Sequence, residues 1–178
     1  MNYSKYSIAE LQGLALGGDA EAQFALGVSF AHGKGVPQDY ARAVHWLKEA
    51  AQRGHAGAED SLGVRYATGQ GVAVDEAEAV RWFQRAARRG YSVAQFNLGL
   101  AFVHGSGVAQ DYEQAYAWFA LSASQGDAIA EESRELVAAS LDWDGLKQAK
   151  IFFHKLHKQI YATKHDNRTV NPVVAGCA

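Results

Sequence analysis

An all-α solenoid of stacked helical hairpins is the fold this sequence predicts, and three observations predict it. The stretch 22–54, AQFALGVSFAHGKGVPQDYARAVHWLKEAAQRG, returns as 58–90 and 94–126 in a 36-residue register without insertion or deletion. A fixed period of that size marks a repeat architecture. Within each copy the apolar residues fall three and four apart, the spacing of one helix face. Between those faces stand glycine breaks and aspartates of the kind that end and begin helices. One hairpin cannot bury its apolar face alone, so stacking on its neighbours must supply the core.

The first element, 7–17, reads as a cap helix. Ser7 with Glu10 three residues on forms a capping-box signature. Leu11 falls on the position of Leu47 and Gly18 on that of Gly54, which makes this the second half of an incomplete repeat. Glu10 replaces the tryptophan of the full repeats, as expected of an end facing water.

Repeats 19–54, 55–90 and 91–126 follow. In the first helix of each, Leu26, Leu62 and Leu98 share a face with Phe30, Tyr66 and Phe102. Gly27, Gly63 and Gly99 follow the leucines. A mid-helix glycine costs about 1 kcal/mol relative to alanine, so three in register imply a partner helix too close for a side chain. Gly33-x-Gly35, Gly69-x-Gly71 and Gly105-x-Gly107 then end the helix. A phosphate cradle would need a strand before such a pair, and here a helix precedes it.

Asp39, Asp75 and Asp111 stand at N-cap positions of the second helices. There Ala43, Ala79 and Ala115, then Trp46, Trp82 and Trp118, then Ala50, Ala86 and Ser122 form one stripe, and all three tryptophans are expected to be buried. Gly54, Gly90 and Gly126 close the helices.

Beyond Gly126 the pattern decays, with Arg134-Glu135 where Leu-Gly stood. A divergent capping hairpin is expected over 127–162, with helices near 128–140 and 143–162, the second behind Asp142. Leu146, Ala149, Phe153, Leu156 and Ile160 should face repeat three. Phe152 lies at the margin of that stripe. With Tyr161 it is expected to serve either a weak homodimer contact or a groove filled by the tail around 170–174. Residues 163–178 have no periodicity and are expected to be a disordered tail.

The recurring pattern A-x3-LG-x2-[FY]-x2-G-x-GV-x2-D-x3-A-x2-W-x3-[AS]A-x2-G resembles the Sel-one-like repeat (SLR), a relative of the tetratricopeptide repeat. Three full copies carry the resemblance over 19–126, and half-repeats in phase extend it to roughly 7–160. It implies a right-handed α-α superhelix and a non-catalytic scaffold or adaptor for a protein or peptide partner. The alternative it implies is a dedicated immunity or regulatory partner of one secreted or signalling protein, as for some bacterial SLR proteins of this size. Some secreted SLR proteins carry a cysteine pair in every repeat, and this chain does not.

Composition sets limits. The chain has 178 residues, 20% of them charged, and a net charge of −2, which argues against a general nucleic-acid binder. No apolar run approaches the roughly 20 residues of a membrane span, and the first residues carry no signal pattern. A single cysteine, Cys177, permits no intramolecular disulfide. The expected address is the cytoplasm. Residues 143–168 hold six basic side chains against two acidic ones, the one feature that could suit an anionic membrane or nucleic acid. Arg81, Arg85, Arg88 and Arg89 read as a solvated face partly paired with Glu78, the other reading being a patch for an acidic partner.

No catalytic constellation converges in the sequence, and neither an enzyme, a cofactor nor a metal is expected. His32 and His104 hold equivalent positions two repeats apart, on the order of 20 Å from each other at ordinary helix spacings, too far to share a metal. His154 and His157 offer two ligands where three or four are usual. The binding surface is expected on the first helices, which line the concave face of such stacks. Offset from the core stripe are Phe24, Val28, Ala31 and His32, then Asp60, Val64, Ala67 and Thr68, then Phe96, Leu100, Val103 and His104. For Phe24 and Phe96, partner contact and packing between repeats are both open readings.

Overall fold

Helix ends come first, because the caps decide where each rod stops. The computed structural model describes residues 6–166, and among these it contains nine α-helices and no strand. They are α1 (Ile8–Leu16), α2 (Ala20–His32), α3 (Tyr40–Gln52), α4 (Ala56–Thr68), α5 (Glu76–Arg88), α6 (Ser92–His104), α7 (Tyr112–Ala123), α8 (Ala128–Ala139) and α9 (Trp143–Asp166). Ser7 and Glu10 close a capping box around the start of α1. Asp39, Asp75 and Asp111 accept from backbone amides three residues on, at 3.0, 2.9 and 2.9 Å. Gly33, Gly69 and Gly105 end the first helices at φ 67°, 72° and 69°, a left-handed conformation that only glycine adopts freely. Asp142 caps α9 by accepting from the amide of Gly145 at 2.7 Å.

The hairpins α2–α3, α4–α5 and α6–α7 are held by close approach at their middles. A Cβ placed on Gly27 would lie 2.8 Å from Leu47, on Gly63 2.5 Å from Phe83, and on Gly99 2.6 Å from Phe119. Real carbon atoms do not come that close, so these glycines let the facing side chain fill the gap. Leu47, Phe83 and Phe119 are all buried. Each second helix then packs on the next first helix (α3 on α4, α5 on α6), and α2 also meets α4 directly. The result is an all-α helical-repeat solenoid.

The tryptophan expectation is met only by Trp118. Trp46 and Trp82 are half-buried, and the core position is one residue on, at Leu47, Phe83 and Phe119. The cause is what covers each second helix. Helix α9 lies along α7, where Ala117, Trp118, Ala120 and Leu121 are buried although their equivalents in α3 and α5 are half-buried or exposed. Among the described residues no helix lies along α5 in that way, and Trp82 carries Arg85 over its ring at 4.6 Å instead.

The last two helices do not pair as the earlier hairpins do. Both α8 and α9 pack on α7, and they barely touch each other. Glu135 stands 36 residues after Gly99, at the position where the other hairpins need a glycine. With that close approach closed off, α9 settles on α7 through Ala149, Leu156 and Ile160, all buried. Phe152 and Phe153 are both half-buried against the same core. The hydroxyl of Tyr161 accepts from Gln95 and Gln125 at 3.1 and 2.8 Å, so it tethers α9 to repeat three. Phe152 also lines a depression with Glu113, Gln114 and Ile151, so part of its ring faces outward. Helix α9 also runs past the expected end at 162 to Asp166. The rest of the expected tail, with the groove-filling stretch 170–174 and Cys177, lies outside the described residues.

These contacts predict a contrast between glycines. Gly63→Ala or Gly99→Ala should cost about 1–3 kcal/mol through overpacking. Gly13, in α1, has no atom within 4 Å of an added Cβ, so Gly13→Ala should stabilise by about 0.5–1 kcal/mol. Urea denaturation of the three variants measures both signs.

Candidate functional site

The inner residues of the first helices repeat every 36 positions, so each forms a row running from repeat to repeat. Val28, Val64 and Leu100 are one such row, all half-buried. His32, Thr68 and His104 form the exposed row beside it. Their helix ends hold them: His32 Nδ1 lies 2.9 Å from the Val28 carbonyl, and Thr68 Oγ1 donates to the Val64 carbonyl at 2.8 Å. Val103 is half-buried, Ala31 buried and Ala67 exposed.

The row Phe24, Asp60 and Phe96 is taken up largely in packing, between repeats for Phe24 and Asp60 and within repeat three for Phe96. Phe24 is half-buried and stacks on His55 with ring centres 4.4 Å apart. Phe96 is half-buried and tilts against Phe119 at 5.5 Å. Asp60 is 7% exposed and accepts from Asn97 Nδ2 at 2.9 Å. A partner lying on this face would meet little of Asp60.

At the N-terminal end these residues open into a groove of about 690 Å³. Phe24 and Val28 form its floor, Ile8 and Leu11 of α1 one wall, and Glu21 and Lys34 its polar rim. Glu21 is itself bound. His55 caps α4 by accepting the Ala58 amide on Nδ1 at 3.1 Å, which leaves the proton on Nε2 to donate to Glu21 at 3.0 Å. The groove therefore offers apolar surface with a lysine at one edge.

Two features went unread in the sequence. Position 23 of the first repeat, repeated at 59 and 95, carries Gln, Glu and Gln. Gln23 and Gln95 are buried and donate to the carbonyls of Ala15 and Ala87, at 3.0 and 3.1 Å. Glu59 cannot donate. It is fully buried, and its carboxylate accepts from Arg85 and Arg89 at 3.2 and 3.0 Å. Those two arginines are half-exposed struts within the α4–α5 hairpin rather than free surface charges, while Arg81 pairs with Glu78 at 2.8 Å as its spacing implied. The signal was present, as the one Glu in a Gln column, in the repeat whose second helix carries Arg81, Arg85, Arg88 and Arg89. Among the described residues no group of three or more His, Cys, Asp or Glu side chains could hold a metal, and no helix is long and apolar enough to cross a membrane.

The sequence model of the Sel1 repeat matches residues 20–55, 56–91 and 92–127. No curated protein matches the chain. Among solved structures, the chain is similar to c5321, a protective antigen present in uropathogenic Escherichia coli strains that displays an SLR fold. The two are 30% identical with a TM-score of 0.81, over 96% of this chain and 38% of the other. The chain thus spans less than two fifths of that relative's length. A Sel1 repeat protein from Oxalobacter formigenes is similar at 38% identity and a TM-score of 0.66, over 71% of this chain and 96% of the other.

Asp60 makes the seam between repeats two and three sensitive to pH. Burial pushes its carboxyl up to about 6 from 3.8, with the Asn97 hydrogen bond opposing. Burial and the nearby Asp60 charge raise the Tyr91 phenol as well. A raised acid favours folding below its unfolded value, and that contribution is lost as pH climbs through about 6. Asp60→Asn, which cannot ionise, should stabilise the protein near neutral pH by up to about 3 kcal/mol. The gain should vanish below about pH 4. Denaturation of both proteins at the two pH values measures it.

Proposed function

Because this chain belongs to the Sel1 repeat family, we propose that it is a non-catalytic scaffold that holds a peptide or protein partner along α2, α4 and α6. Sel1 repeat proteins generally mediate protein–protein interaction, and the family is generally non-catalytic. The observation that carries the reading for this chain is the groove at Phe24 and Val28, continued by Val64 and Leu100. Half-buried aliphatic side chains on rigid, capped helices bury further area on contact without ordering a loop, which keeps the entropic cost of binding low. Specificity comes from the exposed polar row, His32, Thr68 and His104, and from Lys34 at the groove edge. Asp60 and Phe96 position the helices rather than meet the partner.

A photo-crosslinking residue at position 28, 64 or 100 should trap the partner, and one at the exposed outer position His45 should not. Val28→Asp should weaken partner binding tenfold or more, about 1.4 kcal/mol, with far-UV circular dichroism unchanged. Crosslinking from position 45 alone would place the partner on the outer helices and sink the reading.

A further inference from the structure

Four large hydrophobic side chains crowd the C-terminal end: Ile129 and Leu136 on α8, Trp143 and Ile151 on α9. Leu136 stands 36 residues after Leu100, so it is the fourth rung of the row Val28, Val64, Leu100. The first three rungs are half-buried, whereas Leu136 is 68% exposed. Among the described residues no further first helix follows α8, and α9 lies on α7. The open face of α8 is acidic: Glu132 and Glu135 are exposed, and the Arg134 guanidinium is drawn to Glu131 at 2.6 Å and lies 3.8 Å from Glu135.

Helix α9 presents the complementary face. Trp143 is 74% exposed, with the Lys147 ammonium 5.1 Å from its ring centre. Trp143, Leu146, Lys147, Lys150, Ile151 and His154 line a depression of about 400 Å³ on the side away from α7. One chain therefore carries an acidic-apolar stripe and a basic-apolar stripe on consecutive helices. Pairing α8 with α8, or α9 with α9, would bring like charges together. Pairing α8 of one copy with α9 of another sets Glu132 and Glu135 against Lys147 and Lys150, and covers Leu136 with Trp143. A two-fold axis makes that contact twice.

We propose that the chain forms a two-fold homodimer in which α8 of each copy, through Ile129, Leu136, Glu132 and Glu135, seats on the Trp143–Lys147–Lys150–Ile151 face of its partner's α9. Trp143 is the anchor, as tryptophan commonly is at interface centres. The dimer is weak by its size. A 12-residue helix is about 18 Å long and 10 Å wide, so two seams cover about 400 Å² per copy, half of a standard interface. The association is micromolar or weaker and screened by salt.

Analytical ultracentrifugation of the full chain, from low micromolar to sub-millimolar at low and high salt, tests this. The expected result is a rise from one-chain to two-chain mass, suppressed by salt. Trp143→Ser and Leu136→Ser, both at exposed positions, should each raise the dissociation constant about tenfold or more. Glu132→Lys with Glu135→Lys should abolish the dimer, and adding Lys147→Glu with Lys150→Glu should restore it. Circular dichroism of each variant confirms that the fold is kept. One-chain mass at every concentration, a dimer indifferent to the α8 reversal, or a lost dimer that the α9 reversal fails to restore would each overturn the proposal.

Discussion

Everything in this molecule depends on how closely two helices of a hairpin can approach at one point. Gly27, Gly63 and Gly99 each make room for a single large side chain, Leu47, Phe83 and Phe119. A glycine there weakens the isolated helix by about 1 kcal/mol relative to alanine. Burying a leucine or phenylalanine side chain in return is worth about 1.5–3 kcal/mol, so the exchange favours the hairpin. The fourth hairpin shows the constraint by breaking it. With Arg134 and Glu135 in place of Leu-Gly, the leucine that would fill the core and the gap that would receive a partner are both lost. Helix α9 then finds its apolar partner on α7, and Trp118 goes into the core while Trp46 and Trp82 stay half-buried.

The hairpins are near copies, so the individuality of the chain sits in a few polar columns. Gln23 and Gln95 reach back to the preceding helix as neutral donors, whereas Glu59 is a buried carboxylate held by two arginines of its own hairpin. Arg89 of repeat two becomes Gln125 in repeat three, where it donates to Gln95 at 2.9 Å and joins the Tyr161 hydroxyl. Repeat two also carries Asp60 where its neighbours carry phenylalanine. A buried ion pair is weak support for stability, since desolvation offsets much of its attraction, but leaving either charge alone is costly. Glu59 with Arg85 and Arg89 therefore fixes how the two helices of repeat two pair, because loss of both arginines would leave a buried carboxylate unpaired.

Much of this was legible from the residues. Ser7, Asp39, Asp75, Asp111 and Asp142 cap helices because a cap is a contact over three residues, and local contacts leave local signals. The mid-helix glycines were legible because they are costly without a neighbour. The tryptophan stripe misled by one residue, since positions 46 and 47 both lie near the inner face and only packing decides which is covered. The stripe of Leu146, Ala149, Phe153, Leu156 and Ile160 was expected on repeat three, and α9 does lie there, on α7. That α9 would not pair with α8 was harder to read, because it turns on a cleft that Glu135 removes. For the candidate site, Val28, Val64 and Leu100 emerge half-buried as their offset implied. Asp60 does not stay on the surface, because its row lies under the next repeat.

The row Val28, Val64, Leu100, Leu136 joins the proposed partner surface to the proposed dimer contact. The two uses meet only at its last rung. First helices at ordinary packing distances of about 8–10 Å put Val28 and Leu136 about 25–30 Å apart. A partner confined to the groove at Phe24, Val28 and Lys34 would leave Leu136 covered by the second copy, and the dimer would then present two grooves to one bivalent target. Two linked sites can gain orders of magnitude in avidity without any new contact. A partner long enough to follow the row as far as Leu136 must displace the second copy, so its binding is opposed by protein concentration. Which regime holds depends on the length of the bound segment: an extended strand spans at most about 3.3–3.6 Å per residue, so some eight residues separate the two.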